Sequence, residues 1–271
     1  KKHHAKGQVL EGKIQLHGLE ANKIESKIKF FQDYLVIYPL KGDFYGGELK
    51  ASIAIDTSDY GAYKGFVAIS DSQLSKISKV FENEENKNDK DSAKKSEENK
   101  NDINLAKKSN VEGTMSGFFD GDISFQGNQQ DINTLTGKGQ IYLRDGIIWQ
   151  FPVFLAMLDI FSLPSSKPAF REGIIQFSIS KQFFEITSME FISSLLALSG
   201  RGRIAFKGDI ELIMLTHFTM DIIPRIPFVD KVLDNFKKNI FAIQVAGTLN
   251  KPTITLKQWR DLRNFFDISL K

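Results

Sequence analysis

Apolar and polar residues alternate along most of this chain, in short runs punctuated by glycine. In one run Ile175, Phe177 and Ile179 fall on one side, and the residues between them are glutamine and serine. Alternation with a period of two is typical of a β-strand with one buried face. Comparable runs predict strands at residues 13–18, 28–38, 46–55, 63–70, 122–127, 138–144, 183–192, 195–199, 203–206 and 210–221. Their close succession predicts a long antiparallel meander with one apolar face.

Two later segments carry their apolar residues at helical spacing instead. The stripe of the first is Val153, Phe154, Met157, Leu158 and Phe161, and that of the second is Val229, Val232, Leu233 and Phe236. We predict two short amphipathic helices near residues 152–162 and 227–239 that cover part of the sheet. The predicted fold class is therefore mainly β, an α+β fold with a curved antiparallel sheet.

Three shorter patterns refine this outline. Residues 71–81 open on an Asp-Ser pair and then place Leu74 and Ile77 at helical spacing, which predicts a short helix. The run 210–221 is apolar on both sides, so we predict that it is covered on both faces. The Asp145-Gly146 pair is typical of a turn and is interpreted as one, rather than as a catalytic carboxylate.

A charged tract divides the chain. Residues 82–110 consist mainly of Asn, Lys, Glu, Asp and Ser and contain no aromatic residue. Such a segment cannot bury enough apolar surface to offset the entropy of ordering it, so we predict a disordered insertion. The domain organisation then comprises an N-terminal β-meander over residues 1–81 and a C-terminal β domain over residues 111–271.

Composition narrows the function classes. Phenylalanine is abundant, with 23 residues against 2 Trp and 6 Tyr, and it supplies large buried area without a polar atom. The formal net charge is only +3 and the charges are interleaved, so we do not expect a nucleic-acid partner. The lack of cysteine excludes disulfides and thiolate metal sites. The first residue is Lys1, and we expect a piece of a longer protein, in which any membrane anchor or export signal would lie upstream.

Candidate catalytic chemistry is weak throughout. The histidines, His3, His4, His17 and His217, fall in no metal-ligand spacing. Residues 137–139, Gly-Lys-Gly, lack the full phosphate-loop pattern and lead into a strand rather than a helix. We find no set of nucleophile, base and orienting group, so the sequence predicts neither an enzyme nor a cofactor.

Several Gly-punctuated segments resemble one family in order and spacing. They are the run from Leu135 to Gly146 followed by Pro152-Val153-Phe154, the run from Leu196 to Ile204 before Ile210-Glu211-Leu212, and the closing run from Val245 to Pro252. Together they resemble the C-terminal region of the AsmA-like family of bacterial envelope proteins, which includes TamB and YhdP. The resemblance covers roughly residues 113–256, and the first eighty or so residues loosely.

This resemblance implies a periplasmic protein anchored to the inner membrane by a segment absent from this chain. Its elongated, taco-like sheet would shield phospholipid acyl chains in a hydrophobic groove and carry them between the inner and outer membranes. Its partners would be phospholipid and components of both membranes. Alternation alone nominates the groove-facing candidates, which are Ile123, Phe125, Ile141, Leu143, Ile175, Phe177, Ile179, Leu212 and Met214.

Two other interpretations remain open. The chain could be a non-enzymatic scaffold for outer-membrane protein assembly that recruits partner strands at its exposed sheet edges. It could also be a sandwich that binds a small ligand, if a second sheet closes the apolar side. Alternation by itself does not distinguish an open groove from a sealed core.

Overall fold

The computed structural model describes residues 4–16, 19–58, 61–77, 116–147, 170–193, 196–218, 240–249 and 251–257. They form a single sheet of thirteen β-strands. The strands are β1 (His4–Leu16), β2 (Leu19–Phe31), β3 (Tyr34–Phe44), β4 (Gly47–Asp56), β5 (Ala62–Gln73), β6 (Ser116–Asn128), β7 (Asp131–Ile147), β8 (Phe170–Ser180), β9 (Phe183–Ser193), β10 (Leu196–Ala205), β11 (Asp209–Phe218), β12 (Ile240–Thr248) and β13 (Pro252–Lys257).

The sheet is an antiparallel meander without a crossover. Each strand pairs with the next along the chain, from β1 at one edge to β13 at the other. Strands β5 and β6 are hydrogen-bonded neighbours, so the residues before and after 78–115 belong to the same sheet. Within the described residues β1 and β13 each have one neighbour, and the sheet is open. The predicted long antiparallel meander is confirmed.

Helix is scarce among the residues that the structure describes. Residues 74–77 are helical, but Asp71, Ser72 and Gln73 of the predicted helix belong to the end of β5. The helices predicted near residues 152–162 and 227–239 and the insertion predicted at 82–110 lie outside the described residues.

The strand register separates an apolar face from a polar face. Directly opposed residues form rows across the sheet, since side chains alternate between the two sides of each strand. One row on the apolar face is Leu40, Ala51, Val67, Ile123, Gly139, Phe177, Ile186, Gly202, Leu212 and Val245. The next is Gly42, Leu49, Ile69, Gly121, Ile141, Ile175, Met189, Gly200, Met214 and Ile243.

Contacts between distant strands show that the sheet curves toward its apolar face. The rings of Phe44 in β3 and Phe119 in β6 meet edge to face, with centroids 6.4 Å apart. Three strand spacings in a flat sheet would separate these strands by about 14 Å. The Ser72 hydroxyl donates a hydrogen bond of 2.8 Å to the carbonyl of Phe44 and ties β5 to the same corner. Phe119 packs against both large apolar clusters, so the apolar face is continuous.

Strand β11 confirms one detailed prediction. Its successive residues Leu212, Ile213 and Met214 are all buried, although neighbours in a strand point to opposite faces. Ile213 forms a small cluster on the polar face with Ala242 and Leu215. Both faces of β11 are therefore covered, as its two apolar sides predict.

Three local predictions are wrong. The run 28–38 is not one strand, because Gln32 and Asp33 form the turn between β2 and β3. The runs 195–199 and 203–206 belong to one strand, β10. Asp145-Gly146 is not a hairpin turn but lies inside β7, where Asp145 has a φ of 51° and the register shifts opposite Gly117. This is a bulge, which uses the same backbone conformation as a turn and lets the strand continue.

Candidate functional site

The structure places every predicted groove-facing residue on the apolar face. Ile123, Phe177 and Leu212 occupy one row, and Ile141, Ile175 and Met214 occupy the next. The remaining three extend the same side of the sheet: Phe125 and Ile179 both oppose Gly137, and Leu143 opposes Phe119. The alternation in the sequence therefore identified one contiguous surface.

Burial varies along this surface. Leu212 in β11 is buried, and Met214 in the same strand is only 1% exposed. Their neighbours Ile243 and Val245 in β12 are completely buried. Leu143 and Ile179 are also buried. In contrast, five of the predicted residues are only half-buried: Ile123, Phe125, Ile141, Ile175 and Phe177. The apolar face is thus sealed toward β11 and β12 and partly open over β6, β7 and β8.

Phenylalanine rings lie over glycines of the neighbouring strand at three places on this face. A Cβ atom added to Gly65 would come within 2.5 Å of the Phe125 ring. Phe177 covers Gly139 and Phe191 covers Gly173 in the same way. Because glycine has no side chain, each ring lies down across the adjacent strand instead of standing upright. Between β5 and β9 the apolar face is therefore lined by phenylalanine rings that lie against the backbone of the neighbouring strand.

The rows on the apolar face carry no charge within the described strands. The two rows given above contain only apolar residues and glycine. A third row, next to the second, consists of Ser72, Phe119, Leu143, Gly173, Phe191, Leu198 and Thr216. The Thr216 hydroxyl is completely buried and has no hydrogen-bond partner among the described residues. Such a surface can accept hydrocarbon.

Charged residues are concentrated on the polar face. Arg144 donates to Asp120 at 3.0 Å and to Asp71 at 2.7 Å, so one guanidinium links β5, β6 and β7. The hydrogen bonds that Arg144 donates to Asp71 and Asp120 raise the pKa of its guanidinium above the ordinary value. Arg203 pairs with Glu211 at 2.8 Å between β10 and β11. These pairs hold neighbouring strands together on the side away from the candidate site.

Sequence reasoning missed several large members of the apolar face. Phe170 and Phe191 pack with ring centroids 5.5 Å apart, and Leu198, Ile243 and Val245 are buried beside them. The signal was present for Ile243 and Val245, which flank Gln244 in period-two alternation. Phe119 was hidden because it follows Phe118, and a pair of adjacent apolar residues does not show which one faces inward.

Comparisons with known proteins do not classify the chain. No protein-family model, no curated protein and no solved structure matches it. In the part of the chain that the structure covers, no helix is long and apolar enough to cross a membrane. Over the same residues no group of three or more His, Cys, Asp or Glu side chains could hold a metal ion.

Proposed function

We propose that the apolar face shields phospholipid acyl chains and carries them between the inner and outer membranes of a bacterial envelope. In this proposal the chain is a periplasmic, AsmA-like, non-enzymatic protein that takes part in outer-membrane biogenesis. The observation that carries it is the uncharged surface across the sheet, half-buried over β6, β7 and β8 and concave between Phe44 and Phe119. A closed core would bury these residues as completely as Met214.

The energetics of such a surface are sufficient without a catalytic group. Each lipid methylene that leaves water contributes roughly 0.8 kcal/mol to the binding free energy. An acyl chain that is only partly sheltered is therefore bound through the sum over its many methylenes. The rings of Phe125 and Phe177 lie over Gly65 and Gly139, and in this proposal the acyl chain packs against their outer faces. An uncharged lining also lets the chain slide, because no ion pair has to break as it moves.

A matched pair of phenylalanines on opposite faces tests this function. Phe125 in β6 is half-buried on the apolar face, and Phe118 in the same strand is 40% exposed on the polar face. We expect the purified chain to extract fluorescent phosphatidylethanolamine from vesicles. Phe125→Asp should reduce extraction at least about tenfold, because an unpaired carboxylate repels hydrocarbon. Phe118→Asp should leave extraction within about twofold of the parent.

Folding is checked for both variants by circular dichroism and thermal unfolding. Native secondary structure in Phe125→Asp with extraction lost supports the proposal. Equal extraction by both variants would overturn it. Unfolding of Phe125→Asp would mark this residue as sealed core, and it too would overturn the assignment of an open surface over β6.

The scaffold alternative has one observation in its favour. The edge strand β1 exposes two aliphatic side chains, with Leu10 66% exposed and Ile14 less so. Against it, the pairing of β1 with β2 shifts register on either side of Gly12, and such bulges twist an edge away from further pairing. Replacing Leu10 by Pro would abolish recruitment of a partner strand in the scaffold model and leave lipid extraction intact in ours.

A further inference from the structure

The polar face contains a trough that the proposed lipid site does not use. It has a volume of about 810 Å³ and runs across β3 to β8 at the end of the strands remote from Phe44. Most of its lining residues belong to two adjacent rows of the polar face, and Ile53, Gly65, Phe125, Gly137 and Ile179 complete the lining between them. The first row is Val36, Ala54, Lys64, Gln126 and Thr136, and the second is Ser52, Phe66, Ser124, Lys138 and Ser178.

The trough is amphipathic along its length. Over β3, β4 and β5 its walls are Val36, Tyr38, Ala54 and Phe66, and the two aromatic rings are exposed. Over β6, β7 and β8 the polar-face rows contribute hydroxyl and amide groups and Lys138, with Phe125 and Ile179 between them. Exposed aromatic residues beside a polar half are typical of a binding site rather than of a solvated sheet surface.

The charges in the trough are positive and uncompensated within the described residues. Lys64 lies in β5 at the boundary between the two halves, and Lys138 lies two strands away in β7. Neither ammonium group forms an ion pair with a described carboxylate, although Lys50 and Lys207 on the same sheet do. An anion placed over β6 would have a lysine on either side of it.

Two neighbouring carboxylates are occupied by other groups, and a third, Glu185, opposes Ser178 in β9 but does not line the trough. Asp122 accepts a hydrogen bond of 2.8 Å from the Gln140 side chain and does not line the trough. Asp56 lines a smaller adjoining hollow of about 350 Å³ and accepts the Ser58 amide at 2.9 Å. Lys64 borders both spaces. The trough itself therefore has a net positive lining.

We propose that this trough binds a single-chain anionic amphiphile. The hydrocarbon chain lies over β3, β4 and β5 against Tyr38 and Phe66, and the anionic headgroup lies over β6 between Lys64 and Lys138. The volume falls in the range of roughly 300 to 1,000 Å³ that small-molecule sites occupy. This site is on the opposite side of the sheet from the proposed phospholipid surface, and the two proposals stand independently.

Calorimetric titration with monododecyl phosphate, kept below its micellar concentration, tests the proposal. We expect saturable binding with one molecule per chain. Lys64→Gln/Lys138→Gln should weaken binding at least about tenfold, the loss of one charge-assisted hydrogen bond. Phe66→Ser should weaken it through the chain-binding half. Lys6→Gln/Lys41→Gln removes the same charge from exposed positions outside the trough and should change affinity less than about twofold.

Two further ligands separate the contributions of charge and chain. Dodecyl maltoside has the same chain without a charge, and inorganic phosphate has the charge without a chain, so both should bind at least about tenfold more weakly. Equal affinity of the parent and of Lys64→Gln/Lys138→Gln would overturn the proposal. Retention only on phosphatidylglycerol vesicles, without binding of the monomeric amphiphile, would also overturn it and indicate a membrane surface.

One variant distinguishes this proposal from the proposed function. Phe177→Asp should leave the affinity for monododecyl phosphate unchanged, because Phe177 does not line the trough and its ring lies over Gly139 on the apolar face. If Phe177→Asp abolishes binding and Lys64→Gln/Lys138→Gln does not, the amphiphile occupies the apolar face and the trough proposal is wrong. Conversely, if the chain does not extract phospholipid from vesicles, the proposed function fails, but the calorimetric test of amphiphile binding in the trough still applies.

Discussion

The ring of Phe125 lies directly over Gly65 of the neighbouring strand, so closely that a Cβ atom on Gly65 would meet the ring at 2.5 Å. The two residues are direct partners in the β5–β6 register. The same arrangement recurs with Phe177 over Gly139 and Phe191 over Gly173. These pairs set how deep the apolar face is, because a side chain at the glycine would lift the ring into the space above.

Gly65→Ala tests this packing. We expect it to destabilise the chain by about 1 to 3 kcal/mol, because a methyl group has to displace a packed ring. Phe125→Leu in the same background should restore part of the loss, which a double-mutant cycle in urea measures. Gly7→Ala is the control, since its Cβ would find its nearest neighbour at 3.9 Å. Equal effects of Gly65→Ala and Gly7→Ala would refute the ring-over-glycine account.

The buried hydroxyl of Thr216 provides a second test. It is completely buried and finds no hydrogen-bond partner in the part of the chain that the structure describes, whereas the equally buried Ser72 hydroxyl donates to the Phe44 carbonyl at 2.8 Å. Removing an unsatisfied polar group while keeping its shape is favourable, so Thr216→Val should raise the free energy of unfolding by about 1 kcal/mol. Ser72→Ala should lower it by a similar amount. Destabilisation by Thr216→Val would show that its hydroxyl is bonded after all.

Asp56 gives a prediction about pH. Hydrogen bonds from the hydroxyl and the backbone amide of Ser58 lower its pKa below the ordinary value of 3.8. A carboxyl with a lowered pKa stabilises the fold above its ordinary pKa, and this contribution is lost as the pH falls through the folded-state value. Ser58→Ala should therefore raise the Asp56 pKa toward 3.8 and reduce stability at neutral pH but not in strong acid. Carboxyl titration by NMR measures the first effect and urea unfolding the second; an unchanged Asp56 pKa would contradict the assignment.

Alternation predicted much of the architecture because every strand pairs with the strand that follows it in the sequence. Local sequence then determines the neighbours, and period two determines which side chains share a face. This is why Ile123, Phe177 and Leu212, from three separate runs, occur in a single row. The curvature that brings Phe44 to Phe119 is not encoded by any one run, and the sequence gives no signal for that contact.

Positive backbone angles account for most of the local errors. Gln32 adopts a φ of 55° and Asp145 one of 51°, although neither is glycine. Gln32 ends a strand at a point where the apolar pattern predicts that the strand continues. Asp145 forms a bulge at a point where the Asp-Gly pair predicts a turn. At the β8–β9 hairpin Lys181 and Gln182 also have positive φ, so a tight turn forms without glycine. Turn-forming residue types alone could not predict these places.

The half-burial of Phe125 and Phe177 was likewise beyond the sequence. Alternation places Phe177 and Met214 on the same face, but only the structure shows that Met214 is sealed while Phe177 is not. The difference depends on what lies above each residue, and period two describes only one sheet. Only the structure therefore shows which part of the apolar face is open, and the proposed function depends on that part.

Photo-crosslinking tests the central claim most directly. A photoreactive phenylalanine analogue is placed at Phe125 or Phe177 on the apolar face and, for comparison, at Phe118 on the polar face, and the folded chain is irradiated with phosphatidylethanolamine vesicles. Mass spectrometry should find phospholipid joined to positions 125 and 177 at least about tenfold more often than to position 118. Phospholipid joined mainly to position 118, or to none of the three positions, would contradict the account.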